Sequence, residues 1–250
     1  WISARGNAPS AASAPAPAKH TATQKSQVRT TPLSQELGLA RDIVLRTEAI
    51  TQNLMKDARL GLRLDVAALR GISSELSGSL DRNAQALRMV AQMYNKDAYT
   101  FQHSVSVALL LMILQHHQGA PHEIVVEAGI GGLLHDIGKT RIPLQLLNKP
   151  GRHTAEERQQ MREHVRFSQM ILDENGIHSP IIRAIALQHH ERYDGTGYPL
   201  GLAGDAISVY GQQAAIIDVY DAITSDRCYH KGLPAPVAIK KIFELGKNHF

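Results

Sequence analysis

The run His189-His190-Glu191-Arg192-Tyr193-Asp194-Gly195-Thr196-Gly197-Tyr198-Pro199 sets two adjacent imidazoles ahead of a glycine-rich turn closed by proline. Neutral imidazole is a common metal ligand, and the Gly/Asp/Pro composition is turn chemistry. A second cluster, His135-Asp136-Ile137-Gly138-Lys139, lies upstream, and His103, His164 and Asp218 sit in helix-forming stretches. A metal pair needs imidazoles plus a carboxylate to bridge them. An Asp beside a His on one helix can bridge while its neighbour binds one ion. Without thiolates, such ligands suit iron, manganese, nickel or zinc. Two ions about 3.5–4 Å apart can activate water and stabilise an in-line phosphoryl displacement. The pattern points to a metal-dependent phosphohydrolase site.

Each residue also has a plainer reading. His103 alone, on an apolar helix, reads as a hydrogen-bonded core histidine. His135 and Asp136 could form a buried ion pair, and His164 lies among charges on an amphipathic helix. Asp221 is the rival carboxylate to Asp218. Lys139 could serve as a cation at a helix C-terminus, and Arg227 could pair with Asp226 or Asp221. His116-His117 is a control: it ends a helix just before Gly119, and the helix C-terminus accounts for it. The remaining histidines, His122 and His153 among them, read as surface residues.

Taken together, these motifs resemble the HD-GYP domain, a subgroup of the HD phosphohydrolase superfamily. The matching text is Leu134-His135-Asp136-Ile137-Gly138-Lys139, His164, His189-His190-Glu191, Asp194-Gly195-Thr196-Gly197-Tyr198-Pro199, Asp218-Val219-Tyr220-Asp221-Ala222-Ile223-Thr224-Ser225 and Arg227. The resemblance covers about Asp97 to Leu245. It implies a bacterial phosphodiesterase acting on cyclic di-GMP, giving pGpG and in some members GMP. The metal ligands it implies are His103, His135, Asp136, His164, His189, His190 and Asp218, with Asp136 bridging. Lys139 and Arg227 become phosphate contacts, Tyr198 lines the substrate pocket, and Asp97 touches the ligand. Members that bind three metals carry a Glu four residues before the first His ligand. Tyr99 stands there in this chain, which implies two divalent ions, iron or manganese first, with zinc and nickel as alternatives. Contact with diguanylate cyclase (GGDEF) domains through the Gly-Tyr-Pro loop belongs to the same resemblance. The rival readings are a cyclic di-GMP sensor or adaptor without turnover, and a hydrolase of another cyclic dinucleotide.

The elements that must carry these residues read as all-α, with apolar residues recurring at three and four. The resemblance makes this a multi-helix HD-type bundle. Residues 1–32 are rich in Ala, Pro and Ser and read as a flexible linker. Residues 33–95 read as an N-terminal helical extension of two long helices, the second weakened by Gly71 and Gly78. Residues 96–250 read as the catalytic domain that the resemblance implies. A helix apolar on most faces runs from Tyr99 to His117 and belongs in the core. The next runs from His122 to about Gly138, where Gly129, Gly131 and Gly132 permit close helix approach. Thr154 with Glu157 makes a capping box, Ser179-Pro180 opens a helix, and further helices start at Ser208 and Pro236. The chain opens with Trp1 and ends at Phe250 after an apolar helical segment, which reads as a fragment of a longer protein.

Charge excludes some partners. The net charge is +4, with Lys and Arg scattered, so nothing marks a polymeric nucleic-acid surface. No apolar run is long enough to span a bilayer. One cysteine, Cys228, rules out an internal disulfide and fits a cytoplasmic protein. A homodimer is compatible with the long N-terminal helices.

Overall fold

The computed structural model describes residues 31–94, 100–226 and 231–250. Asp97, Tyr99, Arg227 and Cys228 lie outside the described residues, as does the linker over 1–32 apart from Thr31 and Pro32. No strand occurs among the described residues; the β-pairing consists of an isolated bridge between Asp194 and Ala203.

Two long helices, α1 (Leu33–Arg59) and α2 (Val66–Tyr94), pack along each other. Their contact buries Ala40, Val44 and Leu54 from α1 against Leu69, Leu76 and Leu80 from α2. Glu36, fully buried, accepts hydrogen bonds from Ser79 and Arg82 of α2. Gly71 and Gly78 stay helical, contrary to the weakness expected there. The break falls at Asn83, whose backbone is extended. Its side-chain oxygen accepts from the Gln85 and Ala86 amides and so caps the second half. Asparagine competes for nearby backbone donors, which lets it interrupt a helix that glycine only loosens.

Behind this pair lies α3 (Thr100–His117), then α4 (His122–Leu134). As expected of a helix apolar on most faces, α3 is central: Val105, Val107, Ala108, Leu109, Leu111 and Met112 are all buried. Each of these Val, Leu and Met side chains contributes roughly 1.5–3 kcal/mol of burial. One core cluster runs without interruption from α1 and α2 through α3 and α4. A short helix α5 (Leu144–Leu147) leads to α6 (Ala155–Glu174), α7 (Pro180–Gln188), α8 (Val209–Thr224) and α9 (Ala235–His249). The capping box at Thr154 and Glu157 is present in full. Ser179 accepts from the Ile182 amide, and Ser208 from the Tyr210 amide.

One expectation is corrected. The helix read as running from His122 to about Gly138 ends at Leu134. Asp136 has left helical geometry at φ −103° and ψ 11°, and Ile137–Arg141 form a 3-10 turn. The apolar period continues through this stretch, so periodicity alone could not show the break.

The α3–α4 contact depends on glycine. A Cβ on Gly132 would lie 2.5 Å from the Ala108 Cα and 2.7 Å from its backbone nitrogen. Gly38 on α1 faces open space. Gly132→Ala is therefore expected to cost about 1–3 kcal/mol, while Gly38→Ala gains about 0.5–1 kcal/mol from helix propensity. Urea unfolding of both variants checks this; equal effects would remove the close-approach account.

Candidate metal centre

Five helices deliver side chains to one point. His103 comes from the first turn of α3, His135 and Asp136 from the end of α4, and His164 from the middle of α6. His189 and His190 come from the end of α7, and Asp218 from α8. In a continuing helix, neighbouring residues diverge by about 100°. The two adjacent pairs both sit where a helix stops, so the chain can turn both members inward. Helix C-termini also carry partial negative charge, which favours a cation there.

The imidazoles are held by their Nδ1 atoms. His135 donates to the Gly132 carbonyl at 2.8 Å, His164 to Met161 at 2.8 Å, and His189 to Ala186 at 3.1 Å. Each bond satisfies a carbonyl of the ring's own helix and fixes the tautomer, leaving Nε2 as a lone-pair donor. The Nε2 atoms of His135, His164 and His189, with Asp136 Oδ1, are buried and have no hydrogen-bond partner. Orphaned acceptors in a dry interior are costly, and a divalent cation would satisfy all of them. The residues present therefore fit a metal group.

Asp136 divides this set. Its Oδ1 lies 3.4 Å from His164 Nε2 and 3.9 Å from His189 Nε2. Its Oδ2 lies 3.4 Å from His135 Nε2 and 3.9 Å from His103 Nε2. Two groups of ligand-capable atoms result, one of Asp136, His164, His189 and His190, the other of His103, His135 and Asp136. Asp218 Oδ1 adds to the second, 2.9 Å from His103 Nε2 and 3.9 Å from His135 Nε2. Asp221 takes a different part: its Oδ2 accepts from His103 Nδ1 at 2.6 Å, and its other oxygen accepts from Ser106. Asp218 thus faces the centre while Asp221 orients a ring.

Electrostatics favour neutral rings at His164, His189 and His190 beside a charged carboxylate. Burial holds His189 and His190 well below the ordinary imidazole value, and the neighbouring rings add to the effect. His164 is lowered chiefly by burial. Burial resists ionisation of Asp136, yet Lys139 and His135 hold its carboxyl well below the usual range. The Lys139 ammonium donates to Asp136 Oδ2 at 2.5 Å from its position in the 3-10 turn, not from a continuing helix.

Glycines set the approach of these elements. A Cβ on Gly138 would fall 1.9 Å from the His164 carbonyl oxygen and 2.5 Å from the Ser168 nitrogen. Only a bare backbone lets the 3-10 turn press on α6 and bring Asp136 to His164. Gly197 is as tight, against Glu191 and Arg192 backbone. The Tyr198 amide donates to the His190 carbonyl at 3.1 Å, and the Tyr198 ring stacks on His190 at 4.6 Å between centroids. The Arg162 guanidinium lies over that tyrosine at 4.9 Å.

Two contributors are not among the residues that the sequence marks as ligands or contacts. Glu191, 2% exposed, accepts from the Leu200 amide at 2.8 Å and the Leu202 amide at 2.9 Å. It ties the glycine loop to the ligand pair. The hint is a lone acid between two imidazoles and a turn whose amides need acceptors. Arg162 carries no such hint. His122, expected at the surface, bonds Ser74 and Ser77; His116, read as a helix C-terminal cation, reaches Asp81 at 3.4 Å.

The geometry can be set beside known proteins. The HD domain family matches residues 72–250. A cyclic di-GMP phosphodiesterase of Pseudomonas aeruginosa is 41% identical over 219 residues, covering 87% of this chain and 52% of that protein. A cyclic di-GMP phosphodiesterase of Thermotoga maritima is 37% identical over 153 residues, covering 60% and 41%. A 3'3'-cGAMP-specific phosphodiesterase of Vibrio cholerae is 32% identical over 186 residues, covering 73% and 39%. The chain spans about half, or less, of these relatives' lengths. Among solved structures, an HDG"Y"P protein from Bdellovibrio bacteriovorus matches with a TM-score of 0.66 at 21% identity, covering 85% of this chain and 72% of that one. That likeness concerns the fold.

Two outcomes are expected here. Burial works against protonation of His103, but Asp218 and Asp221 outweigh it and push the ring up to about 9. Below that pH the metal-free ring carries a proton on Nε2 that a cation must displace. Manganese uptake at neutral pH should release a proton, and affinity should rise as the pH is raised towards 9. Calorimetry in buffers of differing ionisation enthalpy measures this; uptake without proton release would contradict it. Separately, Glu191→Gln leaves one acceptor oxygen for two amides, at an expected cost of about 1–3 kcal/mol. Amide exchange at Leu200 and Leu202 should quicken; unchanged protection would show that Glu191 does not hold the loop.

Proposed function

Because the chain belongs to the HD domain family, we propose that it is a metal-dependent phosphodiesterase hydrolysing cyclic di-GMP to pGpG. The observation that carries the reading is the division of Asp136, whose two oxygens face separate imidazole groups in a buried pocket. A carboxylate so shared is what a two-cation centre requires. One cation would be held by His103, His135, Asp218 and Asp136, the other by His164, His189, His190 and Asp136. Iron or manganese suits such a nitrogen and oxygen set, with zinc and nickel next. When bound, the pair would supply an activated water and neutralise phosphoryl charge.

The chain's own residues then have definite tasks. Lys139 stands beside Asp136, where its ammonium can meet a phosphoryl oxygen as negative charge grows. Burial raises Tyr198 above the ordinary phenol value, so its hydroxyl stays protonated as a donor at the pocket edge. Arg227 and Asp97 are assigned from the family resemblance as further ligand contacts. The outer edge of the glycine loop exposes Tyr193 and Leu200, which supports a contact with diguanylate cyclase domains there. Scattered charge and a single cysteine support a cytoplasmic setting, and no helix among the described residues is long and apolar enough to cross a membrane.

The test is turnover by purified protein loaded anaerobically with Fe(II) or Mn(II), with metal analysis and chromatography of products. Two ions per chain and release of pGpG are expected. Asp136→Ala should lose both ions and at least about a thousandfold in rate. Full activity in that variant would overturn the site, and three ions would overturn the count. Preferential cleavage of 3'3'-cGAMP would reassign the substrate, and binding of cyclic di-GMP without cleavage would make the protein a sensor.

A further inference from the structure

The N-terminal helix pair reaches the cleft. A cavity of about 150 Å³ is lined by Met55 and Arg59 of α1, Phe101 of α3, Lys139 and Thr140 of the 3-10 turn, and Leu147 of α5. It adjoins the metal centre, because the Lys139 that lines it also bonds Asp136. The volume is well below the roughly 300–1,000 Å³ of a whole small-molecule pocket, so this is a subsite. Its lining holds two cations and no Asp or Glu. The Thr140 hydroxyl is committed to the Ile137 carbonyl at 2.7 Å. Arg59 is exposed at the last residue of α1. Among the described residues it has no carboxylate partner, whereas Arg46, Arg82, Arg141 and Arg183 each pair with one.

Resting on the cyclic dinucleotide reading above, we infer that this cavity receives the phosphodiester of the substrate that is not being cleaved, held by Arg59, together with the edge of the nucleoside attached to it. A cyclic dinucleotide carries two phosphodiesters. The metal centre and Lys139 serve the one that reacts. The second keeps its full negative charge and needs its own donor as the cleft sheds water. A guanidinium matches phosphate oxygens in a two-pronged fashion that an ammonium does not. Phe101, Met55 and Leu147 add an apolar surface suited to the attached nucleoside. Arg59 and Met55 precede residue 72, where the HD domain match begins. The determinant for a dinucleotide therefore comes from the helical extension, and a displacement of α1 would change substrate affinity without touching a metal ligand.

The metal-loaded full chain tests this with cyclic di-GMP and with bis(p-nitrophenyl) phosphate, which carries a single phosphodiester. Arg59→Ala should lower kcat/KM on cyclic di-GMP, relative to bis(p-nitrophenyl) phosphate, on the order of tenfold and mainly through KM. Arg59→Lys should recover part of the loss. Arg63→Ala, an exposed cation nearby but outside the cavity lining, serves as the charge control. An unchanged ratio in Arg59→Ala, or an equal loss in Arg63→Ala, would overturn the subsite. Wild-type protein that cleaves bis(p-nitrophenyl) phosphate but not cyclic di-GMP would instead defeat the substrate reading, and the subsite with it.

Discussion

The carboxylate of Asp136 is the constraint around which the described structure is arranged. It is 1% exposed and ringed by imidazoles that approach each of its oxygens from a different side. An isolated carboxylate at that depth costs several kcal/mol. Lys139 offsets part of the cost, but the orphaned Nε2 atoms remain. Such a centre persists only where a large apolar core holds the helices in place. Here the cluster through α1, α2, α3 and α4 provides that support on one side. A smaller cluster of Val107, Leu111, Ala128, Ile185, Ala214 and Ile217 backs α7 and α8 on the other.

The surrounding architecture solves a geometric problem. Seven side chains must converge, yet a helix presents only about every fourth residue to a given point. Ending α4 and α7 at the ligand pairs resolves this for two neighbours at a time, and it places two carbonyl-rich helix ends towards the same centre. The Nδ1 bonds to Gly132, Met161 and Ala186 then fix ring orientation. Outside that shell, Asp221 holds His103 and Glu191 holds the glycine loop. The loop in turn lays Tyr198 on His190. The glycine loop and the His189-His190 pair are thus coupled through one backbone segment rather than through separate elements.

Much of this was legible in the chain. Thr154 with Glu157, Ser179 with Pro180, and Ser208 act through bonds only two or three residues long, so they read as well in sequence as in space. The glycines of α4 announced a close approach, and Gly132 lies against the backbone at Ala108. Other features were illegible for a definite reason. The end of α4 at Leu134 follows from the press of Gly138 against α6, a contact between residues far apart in the chain. The break in α2 sits at Asn83 because Thr31 and the following amides meet its side chain there. The resemblance singled out Asp218 as the ligand, but the residues alone could not, because Asp218 and Asp221, three residues apart on one helix, differ only by which side of His103 each one meets.

The sequence by itself determined the chemistry available: nitrogen and oxygen ligands without a thiolate, carried on helices whose periods and caps are local properties. It also determined the rigid turn after the paired imidazoles. Tertiary structure alone decided which rings each Asp136 oxygen faces, that Asp221 holds His103 by its Nδ1, and that Glu191 restrains a loop. It alone brought Arg59 of α1 to the cleft edge. Those outcomes depend on the packing of helices distant in sequence, where a displacement of an ångström separates a ligand from a bystander.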